Sequence, residues 1–202
     1  MNVQTEYPVM ETFYSIQGEG FYQGHAAFFI RLAGCDVGCV WCDVKESWDA
    51  GKHTTRTVAS LLEEVSQTAA EIVIITGGEP LMYNCEDLTM ALQQAGFKTH
   101  IETSGAYPLS GSWDWICVSP KKFKAPLPEV VTAADELKVV VFHKSDLDWA
   151  KQHSTNTKPT CKHYLQPEWS KEKEMLALIT PFIQENPQWQ LSLQIHKYLG
   201  VR

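Results

Sequence analysis

Residues 26–43 read Ala-Ala-Phe-Phe-Ile-Arg-Leu-Ala-Gly-Cys-Asp-Val-Gly-Cys-Val-Trp-Cys-Asp, an apolar run that feeds straight into three cysteines. The first seven have the length and the apolar, partly aromatic composition of a buried strand. Cys35, Cys39 and Cys42 follow, separated by three residues and then by two. That spacing puts three soft donors on one tight loop. A closed structural zinc site wants four protein ligands, whereas thiolates also hold iron–sulfur clusters. Three cysteines on a four-iron cluster leave one iron free to take another ligand. A zinc knuckle would need His25, His53 or Cys85 as its fourth donor, and no second paired-ligand motif accompanies the triad.

Outward from this loop, strand and helix signals alternate. Thr57 is placed to cap a helix whose Val58, Leu61, Leu62 and Val65 share a face. Glu-Ile-Val-Ile-Ile-Thr at 71–76 is a buried-type strand ending at Gly77-Gly78. Asn84 predicts the start of a second helix, with Asp87 three residues on and Gly96 as its stop. Strands are expected over 98–102, 113–118, 136–142 and 164–166, with a proline-rich loop at 121–128. Ser145 and Ser170 are candidate helix caps, the latter ahead of Met175, Leu176, Ile179, Phe182 and Ile183 on one face. A last strand is predicted over 191–195. Alternation of this kind implies crossover units and a mainly parallel sheet. Such sheets bind ligands beyond the carboxyl ends of their strands. The cysteine loop, Gly77-Gly78-Glu79-Pro80, Glu102-Thr103-Ser104-Gly105, Ser119-Pro120-Lys121 and Gln166-Pro167 should therefore line one mouth.

Composition bounds the rest. A chain of 202 residues suits one domain, taken as 1–202, and is too short for two large ones. The net charge of -7 argues against a nucleic-acid-binding surface. No apolar run reaches membrane-spanning length, and Met-Asn-Val-Gln-Thr-Glu does not open a signal peptide, so no membrane is expected. Six cysteines without a secretory signal favour reduced thiols and a cytoplasmic setting. Cys85, Cys117 and Cys161 show no pairing pattern and are expected to be small buried hydrophobes.

The cysteine spacing, Trp41 just before the third cysteine, and Gly-Gly-Glu-Pro after the next strand together resemble the radical S-adenosylmethionine superfamily. That resemblance implies an α/β fold: a partial, incomplete TIM-like β/α barrel with a mainly parallel sheet. It also implies a [4Fe–4S] cluster on Cys35, Cys39 and Cys42, whose open iron chelates S-adenosylmethionine. Reductive cleavage of that cofactor gives a 5′-deoxyadenosyl radical. A wider set of stretches resembles the 7-carboxy-7-deazaguanine synthase family along nearly the whole chain. They are Glu11–Gly20 (Glu-Thr-Phe-Tyr-Ser-Ile-Gln-Gly-Glu-Gly), Ile30-Arg31-Leu32, Ile101–Gly105, Val118–Lys121, Leu165–Pro167 and His196-Lys197-Tyr198. Its members contract the ring of 6-carboxy-5,6,7,8-tetrahydropterin with loss of ammonia, on the route to queuosine. The resemblance further implies a homodimer and a flavodoxin- or ferredoxin-type reductant.

Carried onto this chain, the family's roles place Ile16, Gln17, Gly18 and Glu19 at the pterin, whose amino and ring N–H donors need acceptors. Arg31 would fork onto the substrate carboxylate, Thr76 would touch substrate, and His196 would sit over the reacting ring. Glu19 and His196 are the candidates for acid–base work. Trp41, Cys42, Asp43, Gly78, Ser119, Pro120, Lys121, Gln166, Pro167, Glu168 and Trp169 would border the cofactor. Ordinary structural roles stay open for Trp41 as a core aromatic, Glu19 as a solvated charge, Arg31 as a surface ion-pair partner and His196 as a structural histidine. Two positions depart from the family. Val44 stands where a threonine hydroxyl would help hold magnesium, a cation that wants oxygen ligands. The chain ends on Arg202 where a terminal proline often supplies a carboxylate to substrate. Two other readings are a radical activase that installs a glycyl radical on a partner protein and a zinc-stabilised binding module. The first lacks the Ser-Ile-Gln-Gly-Glu-Gly stretch and the second leaves Gly77–Pro80 unexplained.

Overall fold

The computed structural model describes residues 4–202. Nine strands form one open sheet: β1 (Glu6–Ile16), β2 (Ala26–Leu32), β3 (Thr55–Thr57), β4 (Ile72–Gly77), β5 (Lys98–Thr103), β6 (Trp115–Val118), β7 (Glu136–Val141), β8 (Lys162–Pro167) and β9 (Trp189–Leu191). Their spatial order is β3-β1-β2-β4-β5-β6-β7-β8-β9. From β2 to β9 every pairing is parallel, while β1 runs antiparallel to both β2 and β3. The sheet is not closed into a barrel, as the incomplete-barrel expectation has it.

Crossover helices cover one face: α1 (Val58–Ser66), α2 (Glu86–Gln94), α3 (Pro128–Ala133), α4 (Ser145–Ser154) and α5 (Glu172–Glu185). The period of two along each strand divides the side chains between faces. On β7, Leu137, Val139 and Val141 enter the helix-side core with Val130, Leu147 and Ile179. Its alternate residues Lys138 and Val140 face a cavity on the other side. Toward the first strands, Phe28, Ile30, Leu32, Val73 and Ile75 pack on Leu61, Val65, Leu88 and Leu92. Thus the helices seal one face, and chemistry is left to the other.

Most predicted elements form, with five corrections. The first strand was expected at Ala26–Leu32; Glu6–Ile16 already forms an 11-residue strand ahead of it. The strand predicted over 191–195 stops at Leu191, and α6 (Ile195–Leu199) follows, ended by Gly200 in the left-handed region at φ 66°. Asn84 accepts the backbone N–H of Glu86 instead of capping α2, which starts two residues later. The caps expected at Ser145 and Ser170 do not form: α4 and α5 begin without a side-chain cap, and carboxylates bind the turns ahead of them instead. Asp146 takes the N–H groups of Phe142 and His143, and Glu168 takes that of Ser170. Pro128, read as loop, opens α3 at a position where its missing N–H costs nothing. No helix among the described residues is long and apolar enough to cross a membrane.

Candidate active site

At the carboxyl ends of the parallel strands lies a cavity of about 270 Å³. All five predicted loops reach it, joined by the end of β1 and by α6. Main-chain contacts fix the cysteine loop. Gly34 N–H donates to Ser47 O (2.6 Å), Cys35 N–H to Trp48 O (3.1 Å), Gly78 N–H to Leu32 O (2.9 Å) and Glu79 N–H to Gly34 O (2.8 Å). Gly77 sits at φ +143°, and a Cβ there would lie 2.1 Å from Leu32 O. The glycine pair lets β4 close onto the chain leading to the cysteines. Glu79 is buried and accepts Leu81 N–H (3.0 Å), Thr103 Oγ1 (2.5 Å) and Ser104 N–H (2.8 Å), with a further short bond from the Ser104 hydroxyl. Its carboxylate ties the loop after β4 to the loop after β5.

Cys35, Cys39 and Cys42 are free thiols and all three face the cavity. Burial pushes Cys39 up to about 11, with the positive charge of Lys121 opposing it. A ligand that binds thiolate must therefore displace protons there. The fourth donors a zinc knuckle needs lie elsewhere: Cys85 Sγ is turned to Pro80 O and Tyr83 O, His53 holds Glu46 O, and His25 is exposed on Tyr22 O. Three thiols with no fourth suit a cluster that keeps one iron open. Across the loop, Asp36 receives Lys124 (2.8 Å) and Tyr107 (2.6 Å), which clamps it to 121–127.

The opposite wall is a buried polar network. Lys138, 4 % exposed, donates a short bond to Glu19 Oε2 and lies 3.5 Å from Glu102 Oε1. Gln17 Nε2 donates to Glu102 Oε1 (2.8 Å), and Glu19 N–H donates to Gln17 Oε1 (3.1 Å). Gln194 Nε2 reaches Glu19 Oε1 (2.8 Å); Lys197 bridges Gln194 Oε1 and Asp43 Oδ2, both at 2.9 Å. Burial disfavours the Glu19 charge, yet the Lys138 ammonium and the two hydrogen bonds outweigh it and hold the carboxyl at about 2. Glu19 is therefore a largely enclosed, ionised acceptor and not a solvated loop charge. Gly18 presses on α6: a Cβ there would meet His196 Nδ1 at 2.1 Å, and Ile195 N–H donates to Gly18 O (3.0 Å). Burial lowers the His196 pKa, so its ring is neutral near pH 7. Arg31 gives Nε to Glu11 Oε1 (2.8 Å), and Arg202 takes the other oxygen of Glu11 (2.9 Å) while its carbonyl accepts Ser15 Oγ (2.6 Å).

Ile16, Gln17, Gly18, Glu19, Arg31, Thr76, His196 and Arg202 all line the cavity. So do Trp41, Asp43, Gly78, Ser119, Lys121, Gln166, Pro167, Glu168 and Trp169. Pro120 does not; it is buried, and its carbonyl accepts the Trp149 indole N–H (3.3 Å). Lys121 donates to Ser119 O (2.7 Å) and Oγ (2.5 Å), 5.6 Å above the Trp41 ring. Val44 also lines the cavity and brings no side-chain oxygen. Lining residues given no role by the sequence include Glu102, Lys138 and Gln194. Of these, only Glu102 had a signal, its place just past a strand in one of the mouth loops.

An open, mostly parallel β/α sheet that gathers a three-cysteine loop and a glycine pair at one mouth defines a radical S-adenosylmethionine protein. The family model described as "Radical SAM superfamily" matches residues 29–118. A 7-carboxy-7-deazaguanine synthase of Flavobacterium psychrophilum is 47 % identical over 96 % of this chain and 92 % of its own. That of a Synechocystis species is 48 % identical over 97 % and 94 %. The crystal structure of QueE from Escherichia coli superposes with a TM-score of 0.82 at 32 % identity, covering 94 % of both chains. The chain belongs to the 7-carboxy-7-deazaguanine synthase family.

Proposed function

We propose that the chain, acting as one domain, is a lyase that converts 6-carboxy-5,6,7,8-tetrahydropterin to 7-carboxy-7-deazaguanine and ammonia on the queuosine route. One observation carries this reading. The cavity sets three cysteine thiols against a wall of buried acceptors and a guanidinium, a wall suited to a flat, donor-rich heterocycle bearing a carboxylate. Cys35, Cys39 and Cys42 would hold a [4Fe–4S] cluster. Gly78, Ser119, Lys121 and the 166–169 turn, with Trp41 and Asp43, would hold S-adenosylmethionine. Pro120 contributes only by shaping the turn between Ser119 and Lys121. Together, when bound, these groups supply the radical that takes hydrogen from the substrate.

The chain's own residues do the rest. Glu19 and Glu102, oriented by Lys138 and Gln17, accept from the pterin's amino and ring N–H groups. Glu11 occupies Arg31 Nε and turns the remaining nitrogens to the substrate carboxylate. Thr76 adds a hydroxyl on the adjoining strand. His196, packed on Gly18, covers the ring as a neutral imidazole able to take up a proton. Ser15 donates to the Arg202 main-chain oxygen, which holds residue 202 at the rim as a further anchor.

A protein-held magnesium does not fit this wall. Val44 offers no oxygen, and Asp43 is paired with Lys197. An ion accompanying the substrate would draw its ligands from substrate and water. Val44→Thr is expected to sharpen the rise of rate with magnesium concentration; an unchanged titration curve would exclude an anchoring role for position 44.

The homodimer and the flavodoxin- or ferredoxin-type reductant belong to the same proposal and rest on the resemblance; the cytoplasmic setting rests on the six free cysteines. A glycyl-radical activase is disfavoured because Gln17–Glu19 face inward to a small-molecule cavity. The deciding experiment is anaerobic reconstitution followed by incubation with the carboxypterin, S-adenosylmethionine and a reductant. Mass spectrometry should find a deazaguanine and one ammonia per turnover. A protein with an intact cluster that makes neither would overturn the assignment.

A further inference from the structure

A second cavity of about 10 Å³ shares Gln17, Glu19 and Glu102 with the first and reaches away from the mouth to His100, Trp115 and Glu136. His100 lies two residues before Glu102 on β5, hence on the same face of the sheet. It is 3 % exposed, and its Nε2 has no hydrogen-bond partner. A sealed imidazole nitrogen without a partner is destabilising and rare. The space beside it matches what one water needs, given polar neighbours. Glu136 is such a neighbour. Its Oε2 accepts Phe21 N–H (3.2 Å) and the Trp115 indole N–H (3.1 Å). Burial raises the Glu136 pKa against the opposing charge of Lys138, and burial lowers that of His100 to about 4. Burial thus pushes the Glu136 carboxyl toward its neutral form and keeps the His100 ring neutral near pH 7.

We propose that this lower cavity holds one ordered water between His100 and Glu136, and that the three deliver a solvent proton to the Glu102 end of the substrate site. The proposal's second half rests on the reaction assigned above. That reaction releases NH₃, which leaves as ammonium at neutral pH, so each turnover takes one proton from solvent. The O–H bond at Glu136 breaks and its proton passes through Glu102 to the departing amine. The water restores the Glu136 proton and is itself restored from the His100 ring. His100 regains its proton from the edge where Tyr22 lies against it at 4.5 Å and His25 is exposed. Glu136 and His100 are therefore positioning residues acting through Glu102.

A crystal structure that shows ordered water is the first test. Density within hydrogen-bond reach of His100 Nε2 is expected, and a dry cavity overturns the proposal. Glu136→Gln keeps the size and an acceptor for Phe21 and Trp115 but has no acidic proton to transfer. Its kcat should fall about 10²-fold, with KM within about twofold, a larger solvent deuterium effect on kcat, and unchanged iron content and S-adenosylmethionine cleavage. Wild-type kcat and isotope effect in this variant overturn the route. Should it not fold, His100→Asn takes its place: it leaves the water a polar partner and removes the titrating ring. The same fall in kcat is expected, and an unchanged kcat overturns the route. If the wild type formed no deazaguanine, the assigned reaction would fall, while the water site would still be decided by the crystal structure.

Discussion

Cys39→Ala is expected to yield a folded, colourless protein after anaerobic reconstitution, with deazaguanine formation lowered more than about 10³-fold. The loss corresponds to more than about 4 kcal/mol of barrier. Cys39 sits at the middle of the triad and is buried, so its removal leaves two thiols where three are needed. The loop's main-chain anchors at Gly34, Cys35, Gly78 and Glu79 do not involve its side chain, so the fold is expected to survive. Iron content and the charge-transfer band near the visible range measure the cluster; circular dichroism measures the fold. A variant that kept four irons and full turnover would show that Cys39 is not a ligand.

Lys138→Met should instead act first on stability. Removing one partner from a buried ion group costs about 3–5 kcal/mol, because the remaining charge is left uncompensated. Here the cost falls on Glu19 and Glu102 together. For a chain of this size that amounts to a melting point lowered by roughly 6–20 °C. The pH dependence gives the mechanism. In the wild type Glu19 is depressed from an ordinary value of 4.5 to about 2, so its stabilisation is complete above about pH 5 and is lost as pH falls toward 2. Without Lys138 the burial of Glu19 stands unopposed and the carboxyl is raised. The variant's deficit should therefore be largest at neutral pH and shrink on acidification, as the stranded carboxylate picks up a proton. Thermal melts of both proteins between pH 4 and 8 decide the matter; a deficit independent of pH would refer it to packing alone.

Lys138 also shows where the sequence stops being informative. The run Glu-Leu-Lys-Val-Val-Val reads as a strand, and its apolar residues do form the helix-side core. The lysine inside it has no local signature, because its partners Glu19 and Glu102 lie 119 and 36 positions away and meet it only through the order of the strands. The cysteine loop, the glycine pair and the mouth loops were legible because each is local in sequence and follows a strongly apolar strand. β1 was missed because Glu-Tyr-Pro-Val-Met-Glu-Thr-Phe mixes polar residues, a proline and a bulge at Val9–Glu11, so no clean alternation appears. The false strand at 191–195 arose from Leu191, Leu193 and Ile195, whose spacing of two mimics a strand. The chain has already turned at Ser192, whose hydroxyl accepts from Gly20 N–H (3.0 Å) and donates to Gln166 (2.9 Å).

The anchorage of the cysteine loop has a consequence for how this chain can change over time. Four main-chain hydrogen bonds and a glycine laid on the carbonyl of Leu32 set its position. None of these contacts depends on which side chains the loop carries. Val40 is 62 % exposed and is thereby free to drift without moving the thiols. The loop's path is set by these main-chain contacts and by the Asp36 clamp, so substitution at Val40 is expected to leave the thiols in place.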